Sequence, residues 1–178
     1  MAQYIHLDAI KQEIDNITTD DSESVVDGLW ISILTWEFPI EQGYVTRPQA
    51  RHGTQPGKRG WSDLHTYQYT HGTGSPRKFL IVQCKRPSRE RQRGAWRDGR
   101  NQLEIYFRAT YGGRQGEQTP AYGILAIGRL MKAYKNNDNT NRIRRWAPPG
   151  VKTCPKGHHI SGNARKIKQI LDHIRRDH

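Results

Sequence analysis

Apolar residues recur at helical spacing in the first part of the chain. Within residues 4–17, Ile10, Ile14 and Ile17 follow one another at intervals of four and three, which is the period of one helix face. Residues 24–35 repeat this pattern with valine, leucine and isoleucine, and Pro39 follows them. We therefore predict two amphipathic helices, separated by a polar, acidic turn and ended by the proline.

The next part of the chain is patterned as strands. Apolar or alternating runs bounded by glycine and proline predict strands over residues 43–46, 61–69, 77–85, 121–127 and 130–134. Pro48 is expected to end the first strand, and an exposed basic loop is expected over residues 49–59. The run over residues 121–127 is apolar throughout, which is typical of a strand that is buried on both faces.

A helix is predicted between the third and fourth strands. Trp96, Leu103, Tyr106 and Phe107 are spaced as one helix face, although Gly99 costs that helix about 1 kcal/mol. A helix that joins a strand to a buried strand indicates a crossover within a mixed sheet. The predicted fold class is therefore α/β, with the element order α-β-β-β-α-β and helices flanking a mixed central sheet.

The C-terminal part of the chain is basic. Residues 136–162 show no regular period and are expected to be irregular. Residues 163–176 carry an apolar stripe at helical spacing, with Ser161 available as a cap. Because there is no internal repeat or linker, the 178 residues fit a single domain, with a core over about residues 22–134 and a basic C-terminal extension over residues 135–178.

The charge balance indicates the class of partner. Lysine and arginine number 29 against 17 aspartates and glutamates, which gives a net charge of +12 and an isoelectric point near 10.0. Such an excess in a small chain indicates a polyanionic partner, namely nucleic acid. A membrane partner is not expected, because the sequence contains no long apolar run. The oligomeric state is left open, a dimer included.

The cysteines and the N-terminal residues indicate the compartment. Cys84 and Cys154 are the only cysteines, and Cys84 falls within a predicted buried strand. This placement argues against a disulfide framework. The first residues lack the apolar region of a secretory signal. We therefore expect an intracellular protein of the cytoplasm or nucleus rather than a secreted one.

Three side chains on the second and third predicted strands form a candidate catalytic group. Gln83 and Lys85 share one strand face, with Cα atoms about 6.5 Å apart, and Asp63 lies beside them if the two strands pair. An acid and an amide oxygen can hold a hard cation that polarises a phosphate and activates water. A lysine can offset the charge that builds on the phosphoryl oxygens. The alternative is an aspartate at a strand edge and a lysine that only reaches solvent.

Three short motifs occur in an order that resembles a known family. Residues 60–63 read Gly-Trp-Ser-Asp and match G-x-x-D, residues 83–85 read Gln-Cys-Lys and occupy the (D/E)-x-K position, and residues 102–106 run from Gln to Tyr and match Q-x-x-x-Y. The set resembles the PD-(D/E)xK nuclease superfamily, including its branch of recombination exonucleases. The resemblance covers about residues 22–134 and implies a restriction-endonuclease-like fold.

The resemblance implies roles for individual residues. Asp63 and the backbone carbonyl of Cys84 would be ligands of Mg²⁺ or Mn²⁺, and Lys85 would be the catalytic lysine. Gln83 departs from the family pattern, since it can ligate through its carbonyl oxygen but brings no charge. The family often takes another acid from the first helix, for which Glu23 is the candidate, with Glu37 behind it. Gln102 and Tyr106 would support the site from the following helix.

Basic residues follow the candidate site along the chain. We interpret them as nucleic-acid contacts rather than as a merely solvated face, because they are interleaved with tryptophan and follow Lys85 directly. They are Arg86, Arg89, Arg91, Arg93, Trp96, Arg97 and Arg100, and a second group comprises Arg142, Arg144 and Arg145. The function implied by these residues and the resemblance is a metal-dependent nuclease, acting on DNA in preference to RNA.

Other interpretations remain open at the level of sequence. One is a nucleic-acid-binding protein on the same fold that has lost cleavage together with the acid at Gln83. Another is a basic protein-interaction module that engages an acidic protein. A zinc site over residues 154–159 is less favoured than a plain loop, because no second ligand cluster accompanies it. His65 is expected to be an ordinary strand residue, although it would share a face with Asp63.

Overall fold

The structure is a computed structural model that describes residues 3–52, 60–69, 76–111, 121–137, 140 and 142–178. Within these residues the chain forms four α-helices and seven strands, joined by short 3₁₀ turns. The helices are α1 (Asp8–Asn16), α2 (Glu23–Glu37), α3 (Arg93–Tyr111) and α4 (Ala164–Asp177). The strands are β1 (Tyr44–His52), β2 (Gly60–Gln68), β3 (Arg77–Lys85), β4 (Tyr122–Ile127), β5 (Leu130–Asn137), β6 (Arg142–Arg145) and β7 (His158–His159).

The described strands form one mixed sheet, as the sequence pattern predicts. Their order is β1-β2-β3-β4-β5-β6, and β7 also pairs with β5. The first three strands are an antiparallel meander, and β3 pairs with β4 in parallel after the crossover through α3. The α/β class and the order of elements from α2 to β4 are therefore confirmed.

Helices cover both faces of the sheet, so β3 and β4 are buried on both sides. On one face, α1, α2 and α4 pack against alternate β3 residues such as Leu80 and Val82. On the other face, α3 packs against Ile81 and Leu125. This two-sided burial explains why the runs over β3 and β4 are almost continuously apolar. No helix in the described ranges combines the length and the apolar character needed to cross a membrane.

The first strand continues through the proline that was expected to end it. Pro48 lies opposite Leu64 in the register, and β1 extends to His52. The prediction was wrong because β1 is at the edge of the sheet, where a residue without an N–H can leave the outward side unpaired. The rest of the expected basic loop, residues 53–59, lies outside the described residues.

The segment that was expected to be irregular contributes two short strands. β6 pairs with the second half of β5, and β7 pairs with its beginning. These strands are too short and too basic to show a period of two in the sequence. The irregular assignment of residues 136–162 is therefore wrong at β6 and β7.

The C-terminal helix packs into the main core, although Ser161 does not cap it. The Ser161 hydroxyl contacts the ring of His159 instead, and α4 follows Asn163 at its N-terminus without a side-chain cap. The predicted cap is therefore wrong. The apolar stripe of α4 shares a hydrophobic cluster with α1 and α2, and it comprises Ile167, Ile170, Leu171 and Ile174.

Candidate functional site

The site begins where Asp63 reaches from β2 to the end of β3. The paired register of β2 and β3 runs from Leu64 opposite Val82 towards the other end of both strands. Beyond that pair, Asp63 Oδ2 accepts the backbone N–H of Cys84 and the side-chain Nε2–H of Gln83, each at 2.5 Å. The structure therefore brings Asp63 and Gln83 together, as the strand period predicts.

The Asp63 carboxylate lies in surroundings that disfavour its charge. Burial raises the pKa of Asp63 from 3.8 to about 7. The Cys84 amide and the Lys85 ammonium act in the opposite direction, whereas the neighbouring acids Asp27 and Glu23 raise this pKa further. A carboxyl group of this kind becomes a strong cation ligand when a divalent ion replaces its proton.

Lys85 points to the beginning of α2. Its Nζ lies 3.3 Å from Oε1 of Glu23, and the Lys85 side chain is only 18% exposed. The first-helix acid expected from the resemblance is therefore beside the lysine. Glu37, the second candidate, lies at the other end of α2 and pairs with Lys168 at 3.1 Å, so the structure does not bring it to the site.

Asp27 is part of the site, although no sequence motif singled it out. It follows Glu23 by one helical turn, so the two acids share a face of α2. That spacing was the signal available in the sequence. Ligand atoms of Asp27, Asp63 and Cys84 all lie within 4.8 Å of one another. Burial raises the pKa of Asp27, and a hydrogen bond with the Cys84 thiol opposes that shift.

Two buried oxygen atoms at the site have no hydrogen-bond donor among the described residues. They are Oδ1 of Asp27 and Oε1 of Gln83, and the Gln83 residue is only 1% exposed. Unsatisfied buried oxygens are costly, and a bound cation would satisfy them. Together with the carboxylates of Glu23 and Asp63 they form an oxygen donor set that suits Mg²⁺ or Mn²⁺.

The other predicted site residues differ in whether they contact this group. The Cys84 carbonyl, a predicted ligand, accepts a hydrogen bond of 3.4 Å from Gln83 Nε2. Tyr106 of α3 is buried, and its pKa is raised by burial and by the negative charges of Asp63 and Glu23. Gln102 is exposed one turn earlier on α3. His65 is buried beside Tyr67, with ring centroids 5.9 Å apart.

The first group of basic residues lies in the segment that follows Lys85 along the chain. Those between the end of β3 and the first turn of α3 are exposed, namely Arg86, Arg89, Arg91 and Arg93. Arg97 is exposed next to Asp98, and Arg100 donates to the Ile143 carbonyl. Trp96 donates its indole N–H to the Glu90 carbonyl and lies 4.0 Å from Lys132 Nζ, so it is engaged by the protein itself.

The second group of basic residues lies at the other end of the sheet. Lys85 is level with Ile127 and Leu130, whereas β6 joins β5 only from Tyr134 onwards. Arg142 and Arg144 are exposed there, and Arg145 donates to the Cys154 carbonyl. The structure therefore does not bring the β6 arginines to the candidate site.

Comparisons with known proteins do not add to this geometry. Protein-family models, curated proteins and solved structures were searched, and none matches the chain. Asp27, Asp63 and Cys84 form the one potential metal-ligand group of this type found in the described part of the chain. Residues 154–159 do not contribute to such a group within the same ranges.

Proposed function

We propose that the protein is a nuclease of the PD-(D/E)xK type, which hydrolyses phosphodiester bonds in DNA with Mg²⁺ or Mn²⁺. The observation that carries this proposal is the convergence of Glu23, Asp27, Asp63, Gln83 and Lys85 at one end of β2, β3 and α2. The element order from α2 to β4 also supports a restriction-endonuclease-like core.

Some residues of the site would bind the cation, and others would act on the phosphate. Asp63, Asp27 and the Gln83 amide oxygen would hold the cation, with Glu23 completing the ligand set. The cation supplies a Lewis acid for the phosphate and a water molecule of lowered pKa. The Lys85 ammonium, positioned by Glu23, stabilises negative charge on the phosphoryl oxygens. Tyr106 of α3 is near enough to this group for the charges of Asp63 and Glu23 to raise its pKa, so it would border the site on the α3 side.

The test is cleavage of labelled DNA and RNA, single- and double-stranded, with and without Mn²⁺. Asp63→Asn and Lys85→Met are expected to reduce cleavage at least about 100-fold, because each removes charge that acts on the reacting phosphate. Asp98→Asn and Lys11→Met change the same residue types at exposed positions and serve as matched controls. Equal cleavage by Asp63→Asn and wild type in a pure preparation would reject the proposal.

A second candidate is a DNA-binding protein on the same core that no longer cleaves. It is favoured by the Gln83 amide, which donates an N–H to the same Asp63 oxygen that a cation would use. Calorimetry with Mn²⁺ discriminates the two, since the nuclease requires binding that Asp63→Asn abolishes. Gln83→Glu should tighten Mn²⁺ binding and increase cleavage by a nuclease, and it should leave a pure binder without measurable cleavage.

The basic protein-interaction module lacks a specific observation in its favour. Duplex DNA binding that weakens steeply with salt would support either of the nucleic-acid functions against it.

A further inference from the structure

The Cys84 thiol lies within the candidate site but has no role in the hydrolysis proposed above. It is on the α2 face of β3, and it forms a hydrogen bond with the Asp27 carboxylate. Its Sγ and the carboxylate oxygens of Asp27 and Asp63 all lie within 4.8 Å of one another. We call these three residues the carboxylate–thiol cluster.

This donor set differs from the one that Mg²⁺ prefers. Mg²⁺ requires oxygen ligands in near-octahedral geometry, whereas Zn²⁺ accepts mixed thiolate and carboxylate ligands in a tetrahedron. With metal–ligand distances of about 2.0–2.3 Å, tetrahedral ligand atoms are roughly 3.3–3.8 Å apart. Since the separations in the cluster are 4.8 Å or less, a contraction of about 1.5 Å or less would allow it to hold such an ion.

An independent observation also indicates a ligand at this point. Gln83 is 1% exposed, its Nε2 is hydrogen-bonded to Asp63, and its Oε1 has no donor among the described residues. The Gln83 amide is therefore held on one member of the cluster and carries an oxygen without a partner. A half-turn of the amide, which exchanges its nitrogen and oxygen, would present this oxygen to the cluster as a fourth donor atom for a tetrahedral ion.

We propose that the carboxylate–thiol cluster binds Zn²⁺ through Cys84 Sγ, Asp27 and Asp63, and that this binding inhibits hydrolysis. Because Asp27 and Asp63 are shared, the thiolate-bound ion excludes the catalytic cation. The thiol proton leaves to solvent as the zinc–sulfur bond forms. The inhibition rests on the proposed nuclease function, whereas the zinc site itself does not.

The site is tested with Cd²⁺, which reports a metal–thiolate bond by an ultraviolet charge-transfer band. Wild-type protein and the matched control Cys154→Ser should each show one equivalent of this band, and Zn²⁺ should displace it. Cys84→Ser should show none. A band that persists in Cys84→Ser, disappears in Cys154→Ser or is absent from wild type overturns the site.

Because Cys84 is fully buried, its replacement could impair folding, so a second variant is needed. Asp27→Asn leaves both thiols in place and should weaken Cd²⁺ binding at least about 10-fold, as expected for the loss of a charged ligand. Unchanged Cd²⁺ affinity in a folded Asp27→Asn protein would also overturn the site.

Inhibition is measured separately, as cleavage in Mg²⁺ with increasing Zn²⁺. Loss of cleavage over the same Zn²⁺ concentrations that displace the Cd²⁺ band supports inhibition. Full cleavage at saturating Zn²⁺ overturns it. If wild type shows the band but never cleaves, the proposed function fails while the zinc site stands.

Discussion

At the scale of residues, the period of two along a strand determined most of what the sequence could reveal about the site. It placed Gln83 and Lys85 on one face and set Asp63 beside them, and the structure has Asp63 and Gln83 in direct contact. Asp27 was missed because strand periodicity does not specify how a helix is rotated against the sheet. Only packing of α2 turns its acidic face towards Asp63.

The buried Asp63 carboxyl should make the cation-free protein less stable as the pH rises. Its pKa is 3.8 in ordinary surroundings and about 7 in the folded protein, so the folded state holds a proton that the unfolded state has released. The stability present below about pH 4 is therefore lost between about pH 4 and pH 7.

Asp63→Asn removes this titration and keeps an acceptor for the Cys84 amide. In EDTA at pH 8 we expect the variant to be more stable than wild type by on the order of 2–4 kcal/mol, since one pKa unit corresponds to about 1.4 kcal/mol. Urea unfolding at pH 4 and pH 8 measures the difference, which should nearly vanish at pH 4. A gain of equal size at both pH values would contradict the burial argument.

A divalent cation should stabilise the folded wild-type protein. At Mn²⁺ concentrations of about 10–100 times Kd, mass action adds roughly 1.4–2.7 kcal/mol to the free energy of unfolding. Asp27→Asn should lose most of this gain, because it removes a charged ligand, whereas Asp98→Asn should retain it. Thermal unfolding with Mn²⁺ and with EDTA gives the comparison, and an equal gain in all three proteins would place the bound ion elsewhere.

At the scale of elements, the packing of α3 on β4 depends on two glycines. From the sequence alone, a glycine within a helix or strand is expected to lower its stability. A Cβ added to Gly123 would lie 2.8 Å from Phe107 and 2.9 Å from Leu103. The glycine thus allows two α3 side chains to pack directly on the strand. Gly99 of α3 has the same role towards Leu125, which explains a glycine in the middle of that helix.

Gly123→Ala should destabilise the protein by about 1–3 kcal/mol, because it overpacks a fully buried contact. Gly28→Ala is a matched control on the exposed face of α2, where an added Cβ meets no atom within 4 Å. It should stabilise the protein by up to about 1 kcal/mol through helix propensity. Chemical denaturation measures both changes, and a stabilising Gly123→Ala would show that the α3 contact is loose.

The C-terminal helix should be needed for folding rather than serving as a basic appendage. Ile170 is fully buried in the cluster that also contains Val26 and Leu80. Ile170→Ala is expected to cost about 2–5 kcal/mol, as for other large-to-small changes in a core. Gln169→Ala, an exposed neighbour on α4, should change stability by less than about 0.5 kcal/mol. Similar denaturation midpoints for both variants would show that the packing of α4 does not contribute to the stability of the core.

At the scale of the whole molecule, the exposed arginines of the two predicted basic groups lie at opposite ends of the sheet, in a chain whose net charge is +12. The sequence assigned both groups to nucleic-acid contact, but it could not show that β6 pairs away from Lys85. We expect the exposed arginines between β3 and α3 to contact the phosphates that enter the site. Those on β6 should contribute only to general attraction.

Salt dependence of DNA binding separates the two groups. Arg89→Gln with Arg93→Gln should reduce the slope of log affinity against log salt by about 1.8, which corresponds to two phosphate contacts. Arg142→Gln with Arg144→Gln removes the same charge from β6 and should leave the slope nearly unchanged. Fluorescence anisotropy on a labelled duplex over a range of salt measures both. An equal reduction of the slope in the two double variants would mean that DNA contacts both ends of the sheet.

The proline within β1 has a consequence for the behaviour of the protein at high concentration. An open edge strand is a template on which another chain can add and start a fibril. Pro48 interrupts the row of N–H groups along β1, and β6 and β7 are too short to serve as templates at the opposite edge. The sheet is thereby protected against aggregation by strand addition, and replacing Pro48 with a β-branched residue would remove that protection.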